Sequence, residues 1–186
     1  MLARADEAAN PNWQLEEVEL PSIVESAIAS DLAAAESAGI DLGAQIQTAS
    51  VQGVSWLLAE AVRCLVDNAI AHTPRGGSVT VGCGVDAGSP YLEVVDTGIG
   101  IPAAERERVV ERFFRATNAR GVGSGLGLAI VNDVATLHGA QLGIGAGPGG
   151  VGTAVRMTFA RAAPARDADA PTTRPGEEPR QAAAAS

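Results

Sequence analysis

Three clusters in this chain combine residue types and spacings that could do chemistry. The first is Asp96, followed by Thr97-Gly98-Ile99-Gly100-Ile101-Pro102. Alternation along a strand puts Leu92, Val94 and Asp96 on the face that looks toward the core. A carboxylate there is costly unless something donates to it. It either caps its own turn, as Asp before Gly often does, or accepts from a ligand donor such as the exocyclic amine of adenine. The second is Asn68, about 60° around a helix from Leu65, the centre of an apolar stripe, whereas Asp67 and Arg63 point the opposite way. A half-buried Asn offers a hard, neutral oxygen to Mg²⁺ whose other ligands are phosphate and water, or it bonds to nearby backbone. The third is Gly121-Val122-Gly123-Ser124-Gly125-Leu126-Gly127, which runs into Leu128-Ala129-Ile130-Val131. Bare amides at a helix start form an anion site that needs no ammonium group. The alternative, a flexible linker, does not pass straight into an apolar helix.

Composition narrows the possibilities further. All 13 basic residues are Arg, so a P-loop NTPase, a Schiff-base enzyme and a eukaryotic-type protein kinase, each needing a central Lys, are excluded. A net charge of −9 opposes a phosphate backbone, which argues against nucleic acid as partner. Apolar stretches are too short for a membrane span, and the first residues lack a signal-peptide pattern. Cys64 and Cys83 read as reduced core thiols, and the histidines, His72 and His138, are too few for a zinc site.

The elements that must position these groups are legible from periodicity. Ser22 to Glu25 has the form of a capping box, opening a first helix that Gly39 stops. A short strand follows over Ile40 to Ile46. A second helix runs from Ser55 to His72, with Leu58, Ala61, Val62, Leu65, Val66 and Ala69 as its buried stripe. Strands at Val79 to Val85 and Tyr91 to Asp96 form a hairpin around Gly88-Ser89-Pro90. A third helix spans Gly125 to His138, and strands at Gln141 to Ala146 and Thr153 to Phe159 close the domain. Gly145-Ala-Gly147-Pro-Gly149-Gly150 satisfies a dinucleotide pattern but precedes a strand, so it is read as a hairpin turn. Together these make an α+β, two-layer sandwich: a mixed, mostly antiparallel sheet with three main helices on one face. Residues 162–186 hold nine Ala and four Pro with no larger apolar side chain, and are expected to be disordered.

Taken in order, LVDNAIAHTP, VVDTGIGIP, ERFFRA and GVGSGLGLAI resemble the four nucleotide boxes of the catalytic and ATP-binding domain of bacterial two-component sensor histidine kinases. That domain belongs to the Bergerat-fold (GHKL) superfamily with DNA gyrase, Hsp90 and MutL. The resemblance covers about Trp13 to Phe159, implying a catalytic domain over 13–161 and an ATP lid over 101–122. Residues 1–12 resemble the end of a preceding dimerisation and phosphoacceptor helix. By this resemblance Asn68 ligates Mg²⁺, Asp96 accepts from the adenine amine, and Gly98 and Gly100 let the base approach. Gly123, Gly125 and Gly127, with Ser124 and Leu126 between them, cradle the phosphates, and Thr153 completes the nucleotide set. Phe113 and Phe114 would anchor the lid. Arg115 would contact the terminal phosphates, unless it is simply solvated. His72 would pack beside the nucleotide, or interact with the negative end of its helix.

Departures from the family pattern bear on activity. Cys64 stands where the family has Asn, or Glu in the ATPases, which removes a group that could activate water. Ala71 replaces a frequent Lys or Arg and would weaken phosphate binding. No His-Glu phosphoacceptor box occurs, so no catalytic residue is assigned in this chain, and it should bind ATP and transfer nothing to itself. The implied partners are a histidine phosphoacceptor/dimerisation domain, upstream or in trans, and a response regulator. The implied location is cytoplasmic, whether or not the parent protein is anchored in the inner membrane. Two rival readings keep the fold: a kinase of the anti-sigma-factor serine type, and a nucleotide-responsive interaction module without catalysis.

Overall fold

In chain order the elements are β1 (Glu16–Glu19), α1 (Leu20–Ala38), β2 (Asp41–Ile46), β3 (Ser50–Gly53), α2 (Ser55–His72), β4 (Ser78–Asp86), β5 (Ser89–Asp96), α3 (Gly127–Leu137), β6 (Gln141–Ala146) and β7 (Thr153–Thr158). The computed structural model describes residues 15–119 and 124–161. The readings of residues 1–12 as a helix end and of 162–186 as disordered, and the placement of Gly121 and Gly123, lie outside the described residues.

A five-stranded sheet runs in the order β2-β4-β5-β7-β6. Only the β2–β4 pair is parallel; the others are antiparallel. The helices cover one face. α2 lies at the centre, packed between α1 and α3, and reaches β4 and β5 below. Its stripe of Leu58, Ala61, Val62, Leu65, Val66 and Ala69 is buried, as helical spacing requires. Val79, Val81 and Cys83 of β4 and Leu92 and Val94 of β5 rise to meet it. The same alternation ends with Asp96 on that inner face, only 7% exposed. Both thiols are free and buried.

Several boundaries depart from the sequence reading, each for a physical reason. α1 begins at Leu20, ahead of the Ser22 capping box, with Pro21 in its first turn and no side-chain cap. Leu20 is fully buried and donates its N–H to the Ala49 carbonyl (2.9 Å), so tertiary packing sets the start. Gly39 does stop the helix, at φ 70°. The β4–β5 turn is Ala87-Gly88, both with positive φ (49° and 84°), while Ser89 and Pro90 are already paired in β5. That two-residue turn matches the twist of the strands. α3 starts at Gly127 instead of Gly125, because Gly125 takes a left-handed φ of 69°. A small antiparallel sheet pairs β1 with β3, each only four residues long and too short to show a period, and is absent from the sequence reading.

His138 fastens α3 to the start of α2. Its Nδ1 lies 2.8 Å from the Val134 carbonyl, and its Nε2 accepts the buried Val54 N–H at 3.0 Å. An accepting Nε2 requires the neutral ring, so this residue is structural through a hydrogen bond and not through a charge on the helix end. His138→Ala should therefore cost about 1–3 kcal/mol, since the Val54 N–H is left buried without its acceptor. Urea unfolding measures this; an unchanged midpoint would contradict the role.

Candidate functional site

Where β5 ends, the chain turns back beneath the C-terminal end of α2, and three segments converge on one cavity of about 290 Å³. That volume sits at the low end for ligand pockets. Asn68 and His72 come from α2, Asp96 and Gly100 from β5 and its following loop, and Ser124, Gly125 and Gly127 from the start of α3. Arg115 and Thr153 also line it.

Asp96 is the most constrained of these groups. Its Oδ1 accepts the Gly98 N–H at 2.7 Å and the Thr153 N–H at 3.1 Å. The first is the turn-capping bond anticipated from sequence; the second ties the loop to β7, and both coexist with a carboxylate that faces the cavity. Burial pushes the carboxyl above its ordinary range, against the Gly98 and Thr153 hydrogen bonds and nearby His72, which pull it down. Such a group gains from a donor that enters the cavity.

His72 is half-buried, and its Nδ1 has no hydrogen-bond partner among the described residues. Burial lowers its pKa, Asp96 opposes, and Arg115 lowers it further, so the ring is neutral near pH 7. Asn68 is half-buried as expected, while Asp67 at the rim is exposed and paired with Arg63 at 2.6 Å. Cys64 and Ala71 line the same wall. Burial, then Glu60, raises the Cys64 pKa, so this position carries a neutral thiol.

Other expected residues fall differently. Gly98 does not line the cavity; a Cβ there would stand 2.4 Å from the His72 carbonyl oxygen, so what its bareness admits is protein backbone. Phe113 is 74% exposed at φ 66° and lies outside the lining, whereas Phe114 faces inward beneath the Arg108 guanidinium at 4.5 Å. Leu126 caps α3 behind the lining, its N–H 3.4 Å from Ser124 Oγ. Gly125 has two tasks: it lines the cavity, and its carbonyl accepts the Phe113 N–H at 2.9 Å, with the lid backbone so near that a Cβ would sit 2.7 Å from the Phe114 oxygen. Ahead of Ile130, which donates to the Leu126 carbonyl, the N–H groups of Leu128 and Ala129 have no backbone acceptor among the described residues, as is usual at a helix start.

Sequence reasoning missed Ile99, Ile101, Val109, Asn118 and Leu128, which supply the apolar wall and one amide. It also missed Gly152, whose φ is 72° and whose added Cβ would lie 1.8 Å from the Asp96 carbonyl oxygen. Adjacent Gly149 and Gly150 gave a signal for a turn, but not for this close approach.

The donors present fit a metal that arrives with its own ligands. Among the described residues no group of three or more His, Cys, Asp or Glu could hold an ion. Asn68 offers one oxygen beside the helix start, enough for Mg²⁺ already carried by phosphates.

Residues 53–163 match the family described as Histidine kinase-, DNA gyrase B-, and HSP90-like ATPase. The chain belongs to that family. It is 39% identical over 139 residues to the sensor-like histidine kinase SenX3 of Mycolicibacterium smegmatis, covering 73% of this chain and 36% of the relative. It is 50% identical over 107 residues to the signal transduction histidine-protein kinase/phosphatase MprB of Mycolicibacterium vanbaalenii, covering 55% of this chain and 22% of the relative. The chain thus spans about a third or less of these relatives. A solved structure of mycobacterial sensor histidine kinase MprB superposes with a TM-score of 0.71 at 35% identity, covering 77% of this chain and 97% of that one. The ATP-binding domain of PrrB from Mycobacterium tuberculosis shares the fold, with a TM-score of 0.64 at 24% identity over 81% of this chain and 99% of that one. This is the ATPase domain found in sensor histidine kinases, and membership of an ATPase family carries ATP binding with it. No helix of the described residues is long and apolar enough to cross a membrane.

Two outcomes follow for this ATPase domain. Asp96→Asn keeps an oxygen for the Gly98 and Thr153 donors but no charge. Because folding raises the Asp96 pKa, ionisation subtracts stability above the native pKa and none below about pH 4. The variant should therefore melt no lower than the parent at pH 7, with the difference vanishing toward pH 4, while binding ADP at least ~10-fold more weakly. Thermal melts and calorimetric titration check both. Gly152→Ala should cost more than ~3 kcal/mol, against ~1–2 kcal/mol for Gly149→Ala, which shares a positive φ of 68° but has open space around it. Similar urea midpoints for the two would refute the close approach.

Proposed function

We propose that this domain holds Mg²⁺-ATP and offers the terminal phosphate to a histidine on a phosphoacceptor/dimerisation domain, within two-component signalling that ends at a response regulator. In this reading residues 13–161 form the catalytic unit, 101–122 are its lid, and the domain works on the cytoplasmic side. The observation that carries it is the buried Asp96 carboxylate, held by two backbone N–H groups and facing a cavity shared with Asn68 and the start of α3.

Bound ATP supplies the phosphoryl group; the chain supplies position and charge. Asp96 accepts from the adenine amine, and neutral His72 packs beside the nucleotide without adding charge. Asn68 gives an oxygen to Mg²⁺. The N–H groups of residues 127–129 and the Arg115 guanidinium face the phosphates, stabilising negative charge without a lysine. Cys64, kept neutral, is no base for water, which favours holding the phosphoryl group for a protein acceptor over hydrolysis. His138 uses both ring nitrogens inside the fold, which supports an acceptor elsewhere.

The test supplies the acceptor in trans. Incubation with a phosphoacceptor-domain dimer and labelled ATP should place an acid-labile label on the acceptor's histidine, and none on this chain. Acid-stable label on a serine would replace this reading with the serine-kinase one. Normal ATP binding with no transfer would replace it with a nucleotide-responsive interaction module.

A further inference from the structure

Asn118 belongs to the lid and was not singled out by sequence, yet its amide is engaged at one end and unmet at the other. Nδ2 donates to the Ile99 carbonyl at 3.3 Å and to the Gly100 carbonyl at 3.0 Å. Two carbonyls at one end fix that end as the NH₂, so the opposite end is the oxygen. That oxygen, Oδ1, is buried and has no donor among the described residues, and Asn118 lines the cavity. A buried acceptor without a partner is costly, which marks a place where a ligand donor is expected.

The chemistry of that donor is restricted. Phosphate oxygens at neutral pH only accept, so an amide oxygen repels them. The donors left on a nucleotide are the exocyclic amine and the two ribose hydroxyls. Asn118 is also anchored on the loop three and four residues beyond Asp96, the nucleoside side of the site, whereas Asn68 and the start of α3 make the phosphate side. A neighbouring clamp holds the lid in place: Glu105 accepts the Thr117 N–H at 2.9 Å and the Thr117 hydroxyl at 2.8 Å. The Asn118 amide and its neighbour Thr117 are thus both held before any ligand enters.

We infer that Asn118 is a specificity-determining residue for the nucleoside half of ATP: its NH₂ pins the lid to the Ile99–Gly100 carbonyls, and its Oδ1 accepts a hydrogen bond from the ribose or the base. The inference rests on the nucleotide reading of the cavity and adds to it a residue whose one amide both pins its own segment and recognises the nucleoside.

Calorimetric titrations of the full chain with ADP, 2′-deoxy-ADP, 3′-deoxy-ADP and inosine diphosphate test it, with Mg²⁺ and without. Because Asp96 already accepts from the amine, the parent chain should bind inosine diphosphate more weakly than ADP in any case; a bond from Asn118 should add either a ~5–20-fold discrimination against one deoxy analogue or a further part of the discrimination against inosine diphosphate. Asn118→Ala should bind ADP more weakly and should either lose the discrimination against that deoxy analogue or keep only the part of the discrimination against inosine diphosphate that Asp96 supplies. Thr117→Val, which loosens the same lid without touching the amide, should weaken all four ligands equally and keep every discrimination. Which discrimination disappears or shrinks identifies the donor as a ribose hydroxyl or the amine. If Asn118→Ala keeps all the discriminations of the parent, or if its loss vanishes when Mg²⁺ is omitted, the inference is overturned: the residue then only pins the lid, or it serves the metal. Failure of the parent chain to bind ADP at all would overturn the nucleotide reading along with it.

Discussion

A carboxylate taken out of water at the end of a strand must be met by donors, and much of the site is organised around that demand. Asp96 receives one N–H from its own loop, at Gly98, and one from Thr153 on the neighbouring strand. For the loop to reach it, the chain must fold under the His72 carbonyl at Gly98 and over the Asp96 carbonyl at Gly152, where no side chain fits. The charge is still imperfectly met, because burial outweighs those bonds and leaves the carboxyl with a raised pKa. An incoming amine would complete its shell. Both structural bonds fall on one oxygen of a carboxylate that also faces the cavity, so turn capping and the acceptance of a ligand donor are compatible.

Around this point the lid is fastened at several places. The Phe113 N–H meets Gly125, Thr117 meets Glu105, Asn118 meets the Ile99 and Gly100 carbonyls, and Arg112 pairs with Asp133 on α3 at 2.8 Å. The last is an exposed ion pair and contributes little by itself. The backbone contacts matter more, since they connect this segment to Gly125, next to the first amides of α3. In the proposed function the absence of Lys is compatible with this arrangement, because helix amides and Arg would supply the positive potential.

The large periodic elements were legible without coordinates. The buried stripe of α2, the alternation of β4 and β5 and the final hairpin are properties of single segments, and each segment carries its own apolar pattern. Asn68 and Asp96 were legible for the same reason: each is a polar residue in a place where its element's period calls for burial. Less legible were features that depend on what a segment meets. The β1–β3 ladder joins two four-residue segments too short to show a period, the start of α1 is set by Leu20 docking beneath Ala49, and Gly125 takes a left-handed conformation where Phe113 and Phe114 pack against it.

The distinction is sharpest between neighbouring residues. Period and composition alone determined an α+β sandwich, a core-facing acid before a glycine turn, and a glycine run entering an apolar helix, because each follows from the local geometry of one helix, strand or turn. Only the tertiary structure decided that Phe114 and not Phe113 faces the cavity, that Gly98 makes room for a backbone carbonyl, and that the Asn118 amide oxygen is buried without a donor among the described residues. Those outcomes depend on distances between segments far apart in the chain, and no pattern within a single segment encodes them.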